Sequence, residues 1–159
     1  GKVDLVIPRG SSNLIRTVVD ESTVPTIETG AGVCHVYIDE YADLTKALPI
    51  VINSKTHRPS VCNAAETLLV HEAVAEKFLP VVLAALYESK VKLNVDDKVK
   101  VIAEKLNIPI SKATEENWHT EYNALEMNVG VVATLLEASD HIAKYGTKHT
   151  EAIDRKSHV

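Results

Sequence analysis

Two thiols are the residues of this chain best suited to covalent chemistry, and their settings differ. Cys34 lies in the apolar run Val33-Cys34-His35-Val36-Tyr37-Ile38. A cysteine in a buried strand behaves as a small hydrophobe, and desolvation disfavours its thiolate. Cys34 is therefore expected to be structural, and His35 beside it a hydrogen-bonded core residue. Cys62 follows Arg58-Pro59-Ser60-Val61 and precedes residues 63–70, which read as a helix. A thiol at a helix start faces unpaired backbone N–H groups and the positive end of the dipole, and both favour thiolate. Lys55 and Arg58 add positive charge nearby in sequence. The same N–H groups would stabilise an oxyanion formed when sulfur attacks a carbonyl. On composition alone a half-buried cap is the simpler reading of Cys62, and a nucleophile needs a more specific signal.

Alternating strands and helices are predicted to position these thiols. Residues 3–7 form an apolar run ended by Pro8-Arg9-Gly10, which predicts a buried strand and turn. Ser11, Ser12 and Asn13 are candidate caps for a helix carrying Leu14, Ile15, Val18 and Val19. Residues 23–27 read as extended, since Pro25 excludes a helix. Gly30 and Gly32 mark a loop before a strand at 33–38, and a helix then carries Leu44, Ala47, Leu48, Val51 and Ile52. His57-Arg58-Pro59-Ser60 breaks it, and the spacing of Ala64, Ala65, Leu68 and Leu69 predicts a new helix opening near Val61. Another helix is predicted over 75–88, with Pro80 tolerable only near its first turn. Val91, Leu93 and Val95 alternate with polar residues, the period of a half-buried strand. Helices follow from Asp96 and Asp97 to Leu106 and from Leu135 to Tyr145, the latter stopped by Gly146, with strands at 129–132 and 150–153. The alternation argues for an α/β fold with a largely parallel sheet.

The bulk composition excludes several classes. The 159 residues are 45% apolar and 25% charged, as in an ordinary globular domain, or one domain plus part of another. A net charge of −5 with scattered Lys and Arg offers no nucleic-acid footprint. No stretch approaches the ~20 apolar residues of a membrane span. The first residues lack the layout of a signal peptide. Two cysteines without a CxxC pair point to a reducing cytoplasm and to no metal site. The polar stop at residues 154–158 and an opening strand without nearby partners suggest a piece of a longer chain.

The specific signal for Cys62 is the run Asn53-Ser54-Lys55-Thr56-His57-Arg58-Pro59-Ser60-Val61-Cys62-Asn63-Ala64-Ala65-Glu66-Thr67-Leu68-Leu69-Val70-His71. It closely resembles the active-site segment of the γ-glutamyl phosphate reductases (glutamate-5-semialdehyde dehydrogenases), a branch of the aldehyde dehydrogenase superfamily. Asp4-Leu5-Val6-Ile7-Pro8-Arg9-Gly10, the run from Gly32 to Asp39, Ala113-Thr114-Glu115-Glu116-Asn117-Trp118, Thr120-Glu121-Tyr122 and His149-Thr150-Glu151-Ala152-Ile153 fall in the family's order. An ordered series over residues 4–153 is far more specific than one cysteine motif.

The resemblance implies a three-layer aldehyde dehydrogenase-like fold, with residues 1–27 the remnant of a dinucleotide-binding domain and 28–159 a catalytic domain truncated at its C-terminus. It implies that Cys62 attacks L-glutamyl 5-phosphate, expels phosphate and forms a thioester, which NADPH reduces to glutamate 5-semialdehyde for proline biosynthesis. Arg58 and His149 would recognise carboxylate or phosphate, with Asn63 also on the substrate. Glu28 resembles the base of hydrolytic relatives, or serves structure or the substrate ammonium. Glu121 matches a glutamate that holds the nicotinamide ribose, or is a solvated acid. The full-length protein is expected to be a homo-oligomer acting on a small molecule. Most of the cofactor-binding domain would lie outside this chain, which is therefore expected neither to bind NADPH tightly nor to turn over. Pro49 departs from the family pattern and predicts a kink or a late helix start, the polarity of residues 123–128 departs from it too, and residues 154–159 do not follow it cleanly. Three other readings stay open: the reductase half of a bifunctional pyrroline-5-carboxylate synthetase, a Cys–His hydrolase or acyltransferase using His35, His57 or His71, and a non-catalytic scaffold.

Overall fold

The computed structural model describes residues 2–10, 12–28 and 30–155; the candidate cap Ser11 and residues 156–158 of the polar stop lie outside them. Contacts divide the chain into two compact units, Gly1–Ala31 and Gly32–Val159. In the first, α1 (Ser12–Glu21) forms as the apolar spacing requires. The buried strand expected at residues 3–7 is not found. Val6 makes a single parallel bridge to Thr26, while Val3, Leu5 and Ile7 are 54%, 42% and 58% exposed. One bridge gives no sheet in which that apolar run can be buried.

The second unit is built from β1 (Cys34–Ile38), α2 (Leu44–Thr56), β2 (Ala65–His71), α3 (Glu72–Glu88), β3 (Lys92–Val95), α4 (Asp97–Lys105), β4 (Ser111–Lys112), α5 (Glu115–Trp118), β5 (Glu126–Val132), α6 (Leu135–Tyr145) and β6 (Glu151–Asp154). The six strands form one sheet in the order β4-β3-β5-β2-β1-β6, and every pairing is parallel. Side chains alternate between its faces. Val36, Ile38, Leu68, Val70 and Val129 join Val51 of α2, Phe78, Leu79 and Leu83 of α3 and Ile102 of α4. Tyr37, Leu69 and Val132 pack the other way, against Ala138 and Ile142 of α6. Helices thus cover both faces, giving three layers. From β1 to β4 the chain advances one way across the sheet with α2, α3 and α4 on one face. From β5 to β6 it advances the opposite way with α6 on the other, as right-handed crossovers demand.

Four local expectations need correction. No helix opens near Val61; residues 65–71 are strand β2, buried at every position. A strand covered on both faces reads as a continuous apolar run, and its Ala and Leu spacing imitates a helix. Pro80 lies deep inside α3, not in its first turn. α2 begins at Leu44, capped by the Asp43 carboxylate on the Thr45 and Lys46 N–H groups, so the late start at Pro49 is not observed. Finally β4 and α5 were not foreseen; they are too short to carry a periodic signal.

Because all strands are parallel, their amino ends share one edge of the sheet. The loops entering β1, β2, β5 and β6 gather there, and they carry Gly32, Cys62, Glu121 and His149.

Candidate active site

Cys62 projects from the loop between α2 and β2 and is exposed. Two successive turns shape the loop: the Val61 N–H donates to the Arg58 carbonyl at 3.4 Å and the Ala64 N–H to the Val61 carbonyl at 2.9 Å. Cys62 and Asn63 form the corner of the second turn. The loop ends in Ala64 and Ala65, both 2% exposed, so its exit is locked into the core. The helix dipole invoked for Cys62 from the sequence is absent, since a strand follows it.

The backbone of Cys62 is held from below. The Cys34 thiol donates to the Cys62 carbonyl, with sulfur and oxygen 3.3 Å apart. Gly32 lies against the same carbonyl, so closely that a Cβ there would fall 1.5 Å from the oxygen. The Gly32 N–H donates to Glu121 Oε1 at 2.8 Å, and the Val33 N–H to Thr147 Oγ1 at 3.0 Å. Burial, reinforced by the charge of Glu151, pushes the Cys34 thiol up to about 11. Cys34 is thus a protonated donor at neutral pH.

Beneath the loop lies an ion pair missed from the sequence. Lys55, in the last turn of α2, meets Glu66 of β2 at 2.6 Å, and both side chains are at most 1% exposed. Burial pushes the Glu66 carboxyl up to about 7, outweighing the attraction of Lys55. A lone acid in the apolar run at 64–70 was the available signal. A cleft of about 320 Å³ opens beside the loop, lined by Asn53, Ser54, His57, Arg58, Val61, Asn63 and Ala64. Cys62 is flanked by two of these residues but does not itself line the cleft.

Glu121 is delivered by a segment whose polarity now has a physical reason. Asn128, wholly buried, accepts from the Tyr122 hydroxyl at 2.7 Å and donates to the Asn117 carbonyl at 2.8 Å, while Asn94 donates to the same hydroxyl at 3.0 Å. These bonds satisfy polar groups that would otherwise be costly inside the sheet.

The sequence-predicted residues are only partly assembled. Arg58 and Asn63 line the cleft next to Cys62, and Glu121 fastens Gly32 behind it. His149 is exposed in the loop before β6, its Nδ1 2.8 Å from Thr150 Oγ1. Glu28 belongs to the first unit, where it is exposed. Of the histidines considered for a hydrolase, His71 ends β2 and accepts from the Ala73 N–H at 3.1 Å, so β2 (Ala65–His71) separates it from Cys62. At ~3.3 Å per residue that strand spans roughly 20 Å. His35 is 1% exposed with neither ring nitrogen hydrogen-bonded, correcting the expectation of a hydrogen-bonded core residue. Glu151 Oε2 lies 3.3 Å from its Nδ1 but accepts from the His35 backbone N–H at 2.7 Å. His57 alone of the three lines the cleft. Among the described residues no group of three or more His, Cys, Asp or Glu is arranged to hold a metal ion, and no helix is long and apolar enough to cross a membrane.

No protein-family model matches the chain. Individual relatives do. It is 52% identical over 153 residues to a γ-glutamyl phosphate reductase of Kineococcus radiotolerans and 55% identical over 153 residues to one of Thermobifida fusca, each match covering 96% of this chain. The γ-glutamyl phosphate reductase structure from Thermotoga maritima superposes with a TM-score of 0.91 at 46% identity over 98% of this chain. The chain belongs to the γ-glutamyl phosphate reductase family. It spans 35% and 36% of the two relatives' lengths and 37% of the Thermotoga chain. An acetylating aldehyde dehydrogenase from Geobacillus thermoglucosidasius, 24% identical with a TM-score of 0.69, shares the fold. The six-stranded parallel sheet between helical layers is thus the aldehyde dehydrogenase-like core of a γ-glutamyl phosphate reductase family member.

Proposed function

We propose that this chain carries the nucleophile of a reductase that converts L-glutamyl 5-phosphate to L-glutamate 5-semialdehyde in cytoplasmic proline biosynthesis, as part of a homo-oligomeric protein. The observation that carries the reading is the exposed Cys62 at the corner of a turn whose carbonyl is fastened by Cys34 and Gly32. The Cys62 thiolate attacks the acyl carbon; a C–S bond forms, the C–O bond to phosphorus breaks, and phosphate leaves with the electron pair. The turn that fixes Cys62 also fixes its backbone amide, whose N–H would meet the carbonyl oxygen on which negative charge develops. Arg58 in the adjoining cleft meets the phosphate or carboxylate. NADPH, when bound, supplies the hydride that reduces the thioester. Glu121 fits its ribose, since Gly32 engages only one carboxylate oxygen and leaves the second for a hydroxyl. The Cys62 thiolate then departs as the aldehyde forms. Residues 1–27 are read as part of the dinucleotide-binding domain and 28–159 as part of the catalytic domain. Glu28 and His149 are assigned to substrate contacts made in the full-length protein.

Acyl phosphate chemistry tests this without nucleotide. Incubated with acetyl phosphate, the chain is expected to gain one acetyl group on Cys62 by peptide mass spectrometry, in the Cys34→Ser variant as well, and none in Cys62→Ser. Absence of that adduct would overturn the reading.

A further inference from the structure

We propose that the buried Lys55–Glu66 ion pair is a positioning device that clamps the base of the Cys62 loop. Calling that loop nucleophilic rests on the function proposed above; the clamp rests on geometry. Lys55 precedes the last residue of α2 and Glu66 is the second residue of β2, so the pair brackets the segment that carries Arg58, Cys62 and Asn63. The 2.6 Å bond ties the helix end to the strand start.

A buried Lys–Glu pair is a poor means of stabilising a fold. Withdrawing two charges from water costs as much as their attraction returns, and apolar residues of similar volume are often as good or better. The raised Glu66 pKa expresses that cost: even with an ammonium at 2.6 Å, burial wins. What an ion pair supplies and two leucines do not is a fixed distance between two named atoms. Here the fixed distance lies at the mouth of a loop whose tip is held separately, by the Cys34 thiol and by contact with Gly32. With base and tip both fixed, the corner bearing Cys62 has one conformation. Released at the base, the loop lifts and uncovers Cys34, which is 2% exposed beneath the Cys62 carbonyl.

The test replaces the pair by apolar residues of similar size, Lys55→Met with Glu66→Leu, in this chain. The urea midpoint is expected to hold or rise. Alkylation of Cys34 under native conditions is expected to accelerate at least tenfold, as is hydrogen exchange at the Ala64 amide, while the Leu68 and Leu69 amides of β2 keep their protection. A pair that served stability alone would move the strand amides together with Cys34, or move nothing, and either result overturns the clamp. Should the double variant fail to fold, Glu66→Gln keeps the shape and removes the charge. A threefold acceleration at both Cys34 and Ala64 is then expected, with wild-type rates in Lys55→Arg, and wild-type rates in a folded Glu66→Gln protein overturn the proposal. Acetyl phosphate labelling of the wild-type chain separates the two readings. If Cys62 stays unacylated while Cys34 and Ala64 respond to the substitutions, the functional reading falls and the clamp stands.

Discussion

Gly32 shows how much one missing methyl group does. Its backbone occupies the space a side chain would need, 1.5 Å from the Cys62 carbonyl oxygen at the Cβ position. That neighbour is backbone and cannot rotate away, so Gly32→Ala must push the Cys62 turn off its seat. Overpacking of this kind costs about 1–3 kcal/mol. A urea titration is expected to show a loss of that size, and loss of the Cys62 acetyl adduct should accompany it. At this scale the sequence was informative where a motif spoke. The candidate residues Arg58, Cys62 and Asn63 stand in one contiguous run, and the burial of Cys34 followed from its apolar neighbours. Gly32 was legible only as a loop residue, because its partner is Cys62, distant in sequence. Lys55 and Glu66 were invisible as a pair for the same reason: each is an ordinary charged residue until α2 and β2 are placed side by side.

Edge residues marked some elements in the sequence, Asp96 opening α4 and Gly146 closing α6. Asp43 and Thr134, not read as caps from the sequence, also cap α2 and α6 through their side chains, accepting from Thr45 and Glu137, as Asp96 does from Val99. The failure at β2 is instructive, since nothing in its residues distinguishes a strand buried on both faces from a helix buried all round. Only length and partners decide, and the partners β1 and β5 lie elsewhere in the chain. Pro49 and Pro80 show tertiary packing overriding propensity, for both sit inside helices that form regardless. Pro49 is exposed, so its ring contributes little packing, and the Thr45 carbonyl loses the N–H that residue 49 would otherwise donate. Pro49→Ala is therefore expected to stabilise the chain by roughly 1–3 kcal/mol, read as a higher midpoint in urea.

The whole molecule carries a pH dependence that no single element reveals. His35 of β1 and His141 of α6 meet edge to face, 5.4 Å between ring centres, on the α6 side of the sheet. Burial and the neighbouring His141 push His35 down to about 4, and burial and Lys144 do the same to His141. The unfolded chain therefore binds more protons than the folded one between about 6.5 and about 4. Their contribution is fully present above the upper value and is lost as pH falls toward the lower. Glu66 acts in the opposite sense between 4.5 and about 7, being protonated in the folded state first. Glu151 and Asp154, also raised by burial, act in the same sense as Glu66, but the two deeply shifted histidines leave a net loss on acidification. Urea midpoints of the wild-type chain are expected to fall steadily from pH 6.5 to 4.5, and His141→Phe, which leaves one histidine to oppose Glu66, should remove most of that slope. A flat wild-type profile would contradict this assignment.

The strand order also dictates when the sheet can exist. β2 and β3 are never paired with each other; β5 lies between them, bonded to both. A ribosome delivers β5 long after its two neighbours, so a growing chain holds two strand edges with unpaired backbone N–H and C=O groups until residue 132 has cleared the exit tunnel. Closure then joins segments far apart in sequence, a slow kind of step. Chains that stop short of β5 should therefore be the ones that aggregate or recruit chaperones, whereas those that stop after it already contain the pairings that join β2 and β3 into one sheet.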